Sequence, residues 1–288
     1  MSYLAALGLK KEPFSTSPDP TFFYRSPIHR TALARLEISI RLKRGLNIVL
    51  GDIGTGKTTL ARTLLRNFHE DSDFEFYLIF DPSFQTEFQF LSMLVDLFKI
   101  RPLRQNTLHF KRAVENFLYE KNMIEGKTIV LVIDEGQKLS TQLLEVLRVF
   151  LNYETNDRKL LQVILFSQLE IVPKLISLPN FYDRITSKHV LRPLELEEAK
   201  EIIQYRLIQA GWPEGKMLFT PEAIEKIWKF SNGFLRKMTQ LCHQCLLKTA
   251  MNERFQVDET LVEEVVNEEG TFLNVERHYS GREVTQAY

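Results

Sequence analysis

Eight consecutive residues, Gly51-Asp52-Ile53-Gly54-Thr55-Gly56-Lys57-Thr58, have the types and spacing needed to hold a polyphosphate. Glycines at 51, 54 and 56 let the backbone turn tightly enough for its N–H groups to wrap phosphate oxygens. The helix expected from Thr59 onward adds the positive end of its dipole. In this P-loop pattern Lys57 reaches the β- and γ-phosphates and the Thr58 hydroxyl ligates Mg²⁺. A second chemical set closes the apolar run Ile129 to Ile133, where Asp134 and Glu135 follow without interruption. Asp134 can hold Mg²⁺ through water, and Glu135 can orient and activate an attacking water. Either acid alone reads equally as surface charge at a strand end. With the phosphate loop, the pair points to hydrolysis of a nucleoside triphosphate.

Other candidates stand further along the chain. Gln168 follows the apolar run Leu161 to Phe166, where it would sense phosphate or position water; it would also serve as a cap for the next helix. Arg184 precedes an outer strand, from which an arginine can reach a neighbouring subunit's nucleotide, or else pair locally with Asp183 or Glu170. Arg236 comes shortly after Gly233 at the start of a helix that could lower it onto a nucleotide. Lys99, Arg101, Arg104, Lys111 and Arg112 form a basic connector that would meet phosphates of DNA or face solvent. The aromatics Phe22, Phe23 and Tyr24 would line a base pocket or pin an irregular arm to a core. Cys242 and Cys245 fall on the apolar stripe of a helix, which favours buried thiols over a zinc or redox pair.

The elements that must position these residues are legible from periodicity. Leu46–Leu50, Phe76–Phe80, Ile129–Ile133 and Leu161–Phe166 read as buried strands, with a fifth around His189-Val190-Leu191. Amphipathic helices separate them, and ligands of such parallel sheets bind outside the carboxyl ends of the strands. From Pro193 onward the pattern is helical throughout, with Thr220-Pro221 opening one helix, Gly233 closing it and Asp258 capping a last one. The expected fold is α/β: a parallel sheet with helices on both faces, followed by a small all-α subdomain. The expected segments are an arm and helix over 1–45, the α/β domain over 46–193, the helical subdomain over 194–269 and a polar tail over 270–288.

Bulk composition narrows the class without selecting a partner. The 37 basic and 37 acidic residues cancel, so no global field draws the chain to nucleic acid or membrane. Two cysteines are too few for a disulfide framework. No apolar run approaches the roughly 18 residues that cross a bilayer, and the first residues lack the basic and apolar regions of a signal peptide. A cytoplasmic protein without a transmembrane segment is the expectation.

Together the motifs at 51–58 and 129–135, the polar end of the fourth strand, Arg184 and the Gly233-to-Arg236 segment resemble an AAA+ ATPase. The flanking stretches 8–36, 134–170 and 230–246 look like the ExeA (GspA) group of bacterial ATPases. The resemblance implies a P-loop AAA+ sheet, ATP and Mg²⁺ held between the α/β domain and a helical lid, and hydrolysis completed in trans within a ring or filament of the chain with itself. Carried over by position, Gly51 to Thr59 are the nucleotide-binding loop, with Lys57 and Thr58 its Walker A pair. Asp134 and Glu135 are the Walker B pair, Gln168 the first sensor, Arg184 the arginine finger and Arg236 the second sensor. Where many relatives have Asn at the end of strand two this chain has Asp81, which removes an amide able to hold the Walker B glutamate. Relatives serve secretion or pilus assembly, or act as DNA-bound regulators that recruit a transposase in the manner of TnsC and MuB. The secretion members continue into a membrane-spanning segment and a peptidoglycan-binding domain, and neither pattern occurs in these 288 residues.

Overall fold

The computed structural model describes residues 3–15, 20–22, 24, 26–156 and 158–268; Phe23 and the expected tail at 270–288 lie outside them. The described chain divides into two compact units. One comprises residues 27–192, and the other joins the arm before residue 27 to the residues after 192.

In the first unit, helix α1 (Pro27–Arg41) begins on a proline whose fixed φ suits the first helical position and buries His29, Leu33, Leu36 and Ile40 on one face. It leads to β1 (Leu46–Gly51), and α2 (Lys57–Asn67) follows the loop. Then come β2 (Phe74–Ile79), α3 (Glu87–Leu97), α4 (Thr107–Tyr119) and β3 (Thr128–Ile133). The unit continues through α5 (Thr141–Leu151) and β4 (Leu161–Ser167) to β5 (Ile185–Leu191). The five strands form one sheet in the order β2-β3-β4-β1-β5, every pairing parallel.

Burial explains which strands were easy to read. The interior strands β3 and β4 are buried at every position, which is why they are continuous apolar runs. The edge strands depart from the expected bounds. β2 starts at Phe74 and tolerates Glu75, while Phe80 lies beyond it and is exposed. β5 starts at Ile185 and alternates, with Thr186 and Lys188 outward and His189 and Leu191 inward, so only its last residues look like a buried run.

Helices cover both faces. On one, Phe90, Leu91 and Leu94 of α3, Phe110 and Val114 of α4, and Leu143, Leu147 and Phe150 of α5 pack on Ile48, Leu131 and Val163. On the other, α1 lies along β5 and β1, and α2 along β1 and β4. Helix starts follow the sequence: the side chains of Thr86, Asn106 and Ser140 accept from the backbone N–H of Gln89, His109 and Leu143. Register then sets the site. Leu50 pairs with Ser167 and Ile133 with Leu165, so the C-terminal ends of β1, β4 and β3 stand side by side on one sheet edge.

The second unit is built on α6 (Leu196–Gln209), α7 (Pro221–Ser231), α8 (Leu235–Met251) and a helical stretch over 259–268 capped by Asp258 Oδ1, which accepts from Leu261 N–H at 2.9 Å. Arm residues Leu9, Phe14 and Phe22 belong to its core, with Phe14 edge-to-face on Phe219. Tyr24 packs against the same core and donates its hydroxyl proton to Glu201, so the described arm aromatics pin the arm in place. Cys242 and Cys245 are fully buried, and burial pushes the Cys242 thiol up.

Gly233 makes the sharpest local demand on this unit. Its φ is +72°, and a Cβ there would overlap the Leu194 carbonyl oxygen and lie 3.1 Å from Leu194 N, whose N–H donates to the Gly233 carbonyl. Both the left-handed backbone and the close approach exclude a side chain. Gly233→Ala is expected to lower stability by about 1–3 kcal/mol, read as a shift of the urea midpoint. An unchanged midpoint would show that the 193–194 segment gives way without loss.

Candidate nucleotide-binding site

The loop between β1 and α2 is fixed by its glycines and by two internal bonds. Gly54 and Gly56 have φ of +85° and +96°. A Cβ on Gly51 would lie 2.6 Å from Thr55 Oγ1 and 3.1 Å from the Leu191 carbonyl oxygen. Thr55 closes the turn by donating both its N–H and its hydroxyl to the Asp52 carbonyl. Lys57 is buried; its ammonium donates to the carbonyls of Gly51 at 2.7 Å and Asp52 at 3.0 Å, so a cation sits inside the loop's curve. Asp52 and Ile53 are exposed on the outside of the turn.

His29 belongs to this loop as well, and the motif gives no sign of it. From α1, its Nε2 lies 3.0 Å from the Thr55 carbonyl, and because a carbonyl only accepts, Nε2 carries the proton. The side chain is 1% exposed, so it ties the loop to α1 from within the protein.

Thr58, in the first turn of α2, donates its hydroxyl to Asp134 Oδ2 at 2.9 Å. This bond bridges the ends of β1 and β3 past the intervening β4. A hydroxyl and a buried carboxylate converging in this way are hard oxygen donors, the set that suits Mg²⁺. Thr59 follows within the same helix turn.

Glu135 adopts left-handed backbone, φ +53°, unusual for a non-glycine residue. Its own N–H donates to Asp134 Oδ1 at 2.9 Å and its carbonyl accepts from Lys138 N–H. Gly136 permits the turn, since a Cβ there would meet the Leu165 side chain, which is fully buried and cannot swing aside. The Glu135 carboxylate accepts from Gln137 Nε2 at 2.6 Å and, more weakly, from Gln168 Nε2 at 3.4 Å. Gln168 therefore lies beside Glu135 on the shared edge; the 169–171 turn that follows receives no side-chain cap from it. Lys174 donates to the carbonyls of Gln137 and Leu139 and braces the turn from behind.

The other residues singled out in the sequence lie elsewhere. Arg184 precedes β5 at the N-terminal edge of the sheet, and seven residues of strand put roughly 20 Å between that edge and the phosphate loop. Its charge is felt at Glu154, whose carboxyl Lys159 and then Arg184 hold low. Arg236 is exposed in the first turn of α8 in the helical unit. Of the residues read as a basic connector, Lys111 and Arg112 lie instead within α4, which starts at Thr107, and Lys111 is engaged by Glu87 at 2.6 Å. Asp81 is exposed and pairs with Lys138 at 3.2 Å; the Ser83 hydroxyl, then Lys138, hold its carboxyl below the usual range.

The match to known proteins agrees with this geometry. The family model described as AAA domain covers residues 40–175. Over 250 residues the chain is 33% identical to general secretion pathway protein A of Aeromonas hydrophila, an alignment covering 85% of this chain and 44% of that protein. The domain match and this identity support an ExeA/GspA-type AAA protein. It spans less than half the length of that relative. Similar AAA-type architecture is found in the ORC2 protein of Aeropyrum pernix in its ADPNP–ADP complexes, with a TM-score of 0.61, 18% identity, and 85% of this chain and 68% of that one covered. The ORC1 protein of Aeropyrum pernix in complex with DNA gives a TM-score of 0.64 at 16% identity, with 90% and 69% covered. At these identities the likeness is one of fold, here the P-loop sheet followed by a helical region.

The close packing of the 136–138 turn on β4 is testable without nucleotide. Gly136→Ala is expected to destabilise the protein by about 1–3 kcal/mol, measured by denaturant unfolding, because Leu165 sits in a filled core. A variant as stable as the parent would mean that the turn can lift off β4.

Proposed function

We propose that this chain hydrolyses ATP to ADP and phosphate, and that its nucleotide state governs assembly with other copies of itself. The observation that carries this reading is the bond from Thr58 to Asp134 beside the Lys57 loop, with Glu135 next in the chain. Lys57 would exchange its two carbonyl acceptors for β- and γ-phosphate oxygens, which are stronger acceptors for an ammonium. Loop N–H groups and the start of α2 would hold the remaining phosphate charge. Thr58 and Asp134 would hold Mg²⁺, which when bound neutralises charge on the β- and γ-phosphates. Glu135 would take a proton from the attacking water, and Gln168 would read the γ-phosphate.

Arg184 is the candidate arginine finger, and its place at the far sheet edge supports action on a neighbouring copy's nucleotide rather than its own. Arg236 as second sensor rests on the family resemblance alone. Likeness to general secretion pathway protein A supports work in a secretion or pilus-assembly apparatus, from the cytoplasm, where ATP is supplied. Among the described residues no helix is long and apolar enough to cross a membrane.

Lys57→Ala is expected to abolish ATP binding in calorimetry, whereas Glu135→Gln keeps binding and loses turnover by about 100-fold or more. Wild-type turnover in Glu135→Gln would remove Glu135 from the base role. Arg184→Ala should bind ATP yet lose assembly-dependent turnover, and mixing it with Lys57→Ala should partly restore activity. No restoration at any ratio would rule out a finger in trans. Turnover indifferent to duplex DNA is expected at low and moderate salt; stimulation that fades with salt would instead support a transposase-recruiting switch.

A further inference from the structure

One side chain outside the phosphate loop touches both the candidate base and the end of β4. The Gln137 amide has Nε2 2.6 Å from Glu135 Oε2, while Oε1 is 3.1 Å from Gln168 N and 3.3 Å from Ser167 Oγ. Its orientation is fixed by chemistry. A backbone N–H can only donate, so the atom it meets must be the amide oxygen, and the NH₂ is left to face the carboxylate. The hydroxyl of Ser167, fully buried, lies 3.3 Å from the same oxygen and 3.1 Å from the Gln168 carbonyl, so its one proton is shared between these two acceptors.

We propose that Gln137 is the positioning residue for Glu135, an assignment that rests on the ATPase reading above. Gln137 and Gln168 both donate to Oε2, which sets the rotation of the carboxylate and leaves the proton of the attacking water to Oε1. The two donors differ in what anchors them. When the Gln168 side chain turns to a phosphate oxygen, its backbone N–H still holds Gln137, so Glu135 keeps its shorter bond while the sensor is engaged elsewhere. Asp81 cannot substitute: an ionised carboxylate has no proton to donate to another, and Lys138 and Ser83 already occupy it.

Two variants separate positioning from mere support. Gln137→Leu removes both polar atoms at similar size; kcat is expected to fall 10–100-fold, the scale of a small misplacement of a reacting group, with ATP affinity within about twofold of wild type. Gln137→Glu keeps the shape. Protonated, it donates to Glu135 as the amide did; ionised, it repels the neighbouring carboxylate. The ratio of its kcat to that of wild type should therefore fall as pH rises from about 5.5 to about 8. A structural role would depress that ratio evenly, and an even ratio would overturn the assignment, as would wild-type kcat in Gln137→Leu. Should the Leu variant fail to fold, the pH dependence of the isosteric Glu variant decides.

A readout independent of turnover is the Gln137 side-chain NH₂ pair in ¹H–¹⁵N spectra of the nucleotide-free protein, assigned by its loss in Gln137→Glu. One of the two protons should shift on Glu135→Ala. An unmoved pair would show that Gln137 does not hold Glu135. A wild-type protein that binds ATP but never hydrolyses it would count against the ATPase reading, and the amide shift would still decide the contact.

Discussion

The position of β4 between β1 and β3 is the constraint on which the site depends. Neighbouring strands lie about 4.8 Å apart, so the phosphate loop on β1 and the acids on β3 are held about two strand spacings from each other. No backbone bond can close that gap. Thr58 does so from the first turn of α2, leaning across the end of β4 to Asp134. The same arrangement leaves the end of β4 as the floor between loop and acids, and Ser167 and Gln168 occupy it. The parallel register therefore brings together cation, hydroxyl, carboxylates and amides that are far apart in the chain.

The groups gathered there are held in place largely by neighbours that do no chemistry. Lys57 is buried yet donates to two loop carbonyls, so its charge is hydrogen-bonded rather than stranded. His29 holds the loop from α1, and Lys174 holds the carbonyls of Gln137 and Leu139. Glu135 stays in left-handed backbone because Asp134 accepts its N–H and Lys138 donates to its carbonyl. A strained residue persists where the surroundings over-determine it, and here each tie comes from a residue within three positions.

Legibility in the sequence followed burial and chain distance. β3 and β4 announce themselves because water touches neither face, whereas the first half of β5 is hidden by alternation with Thr186 and Lys188. The phosphate loop and the acid pair were readable because their chemistry requires fixed types in contiguous order. His29 and Gln137 were not. Each acts through one contact, His29 with a loop 26 residues away and Gln137 with strand ends that only folding brings beside it. The three- and four-residue spacing of the buried face of α1 marks His29 merely as one of its members. The role of Gln168 was half legible: a polar residue ending a buried strand signals the edge, but its neighbour Glu135 follows from register.

Asp81 illustrates how a position that looks like a loss can be compensated nearby. Taken alone, an acid in place of an amide leaves the candidate base without a donor from β2. In the folded chain Asp81 turns to Ser83 and Lys138, and Lys138 is three residues from Glu135 within the same turn. The donor on Glu135 comes from inside that turn, at Gln137, and is tied to β4 rather than to β2. That shift changes which movements reach the base. A displacement of β2 would reach Glu135 through its ladder with β3, where Asp134 N–H donates to the Ile79 carbonyl, as well as through the exposed Asp81–Lys138 pair, which water screens. A displacement at the end of β4, where a γ-phosphate would be read, acts through a half-buried amide with one end on each partner. On the proposed reading, a bound phosphate would be coupled to Glu135 through the end of β4 in addition to the β2–β3 ladder.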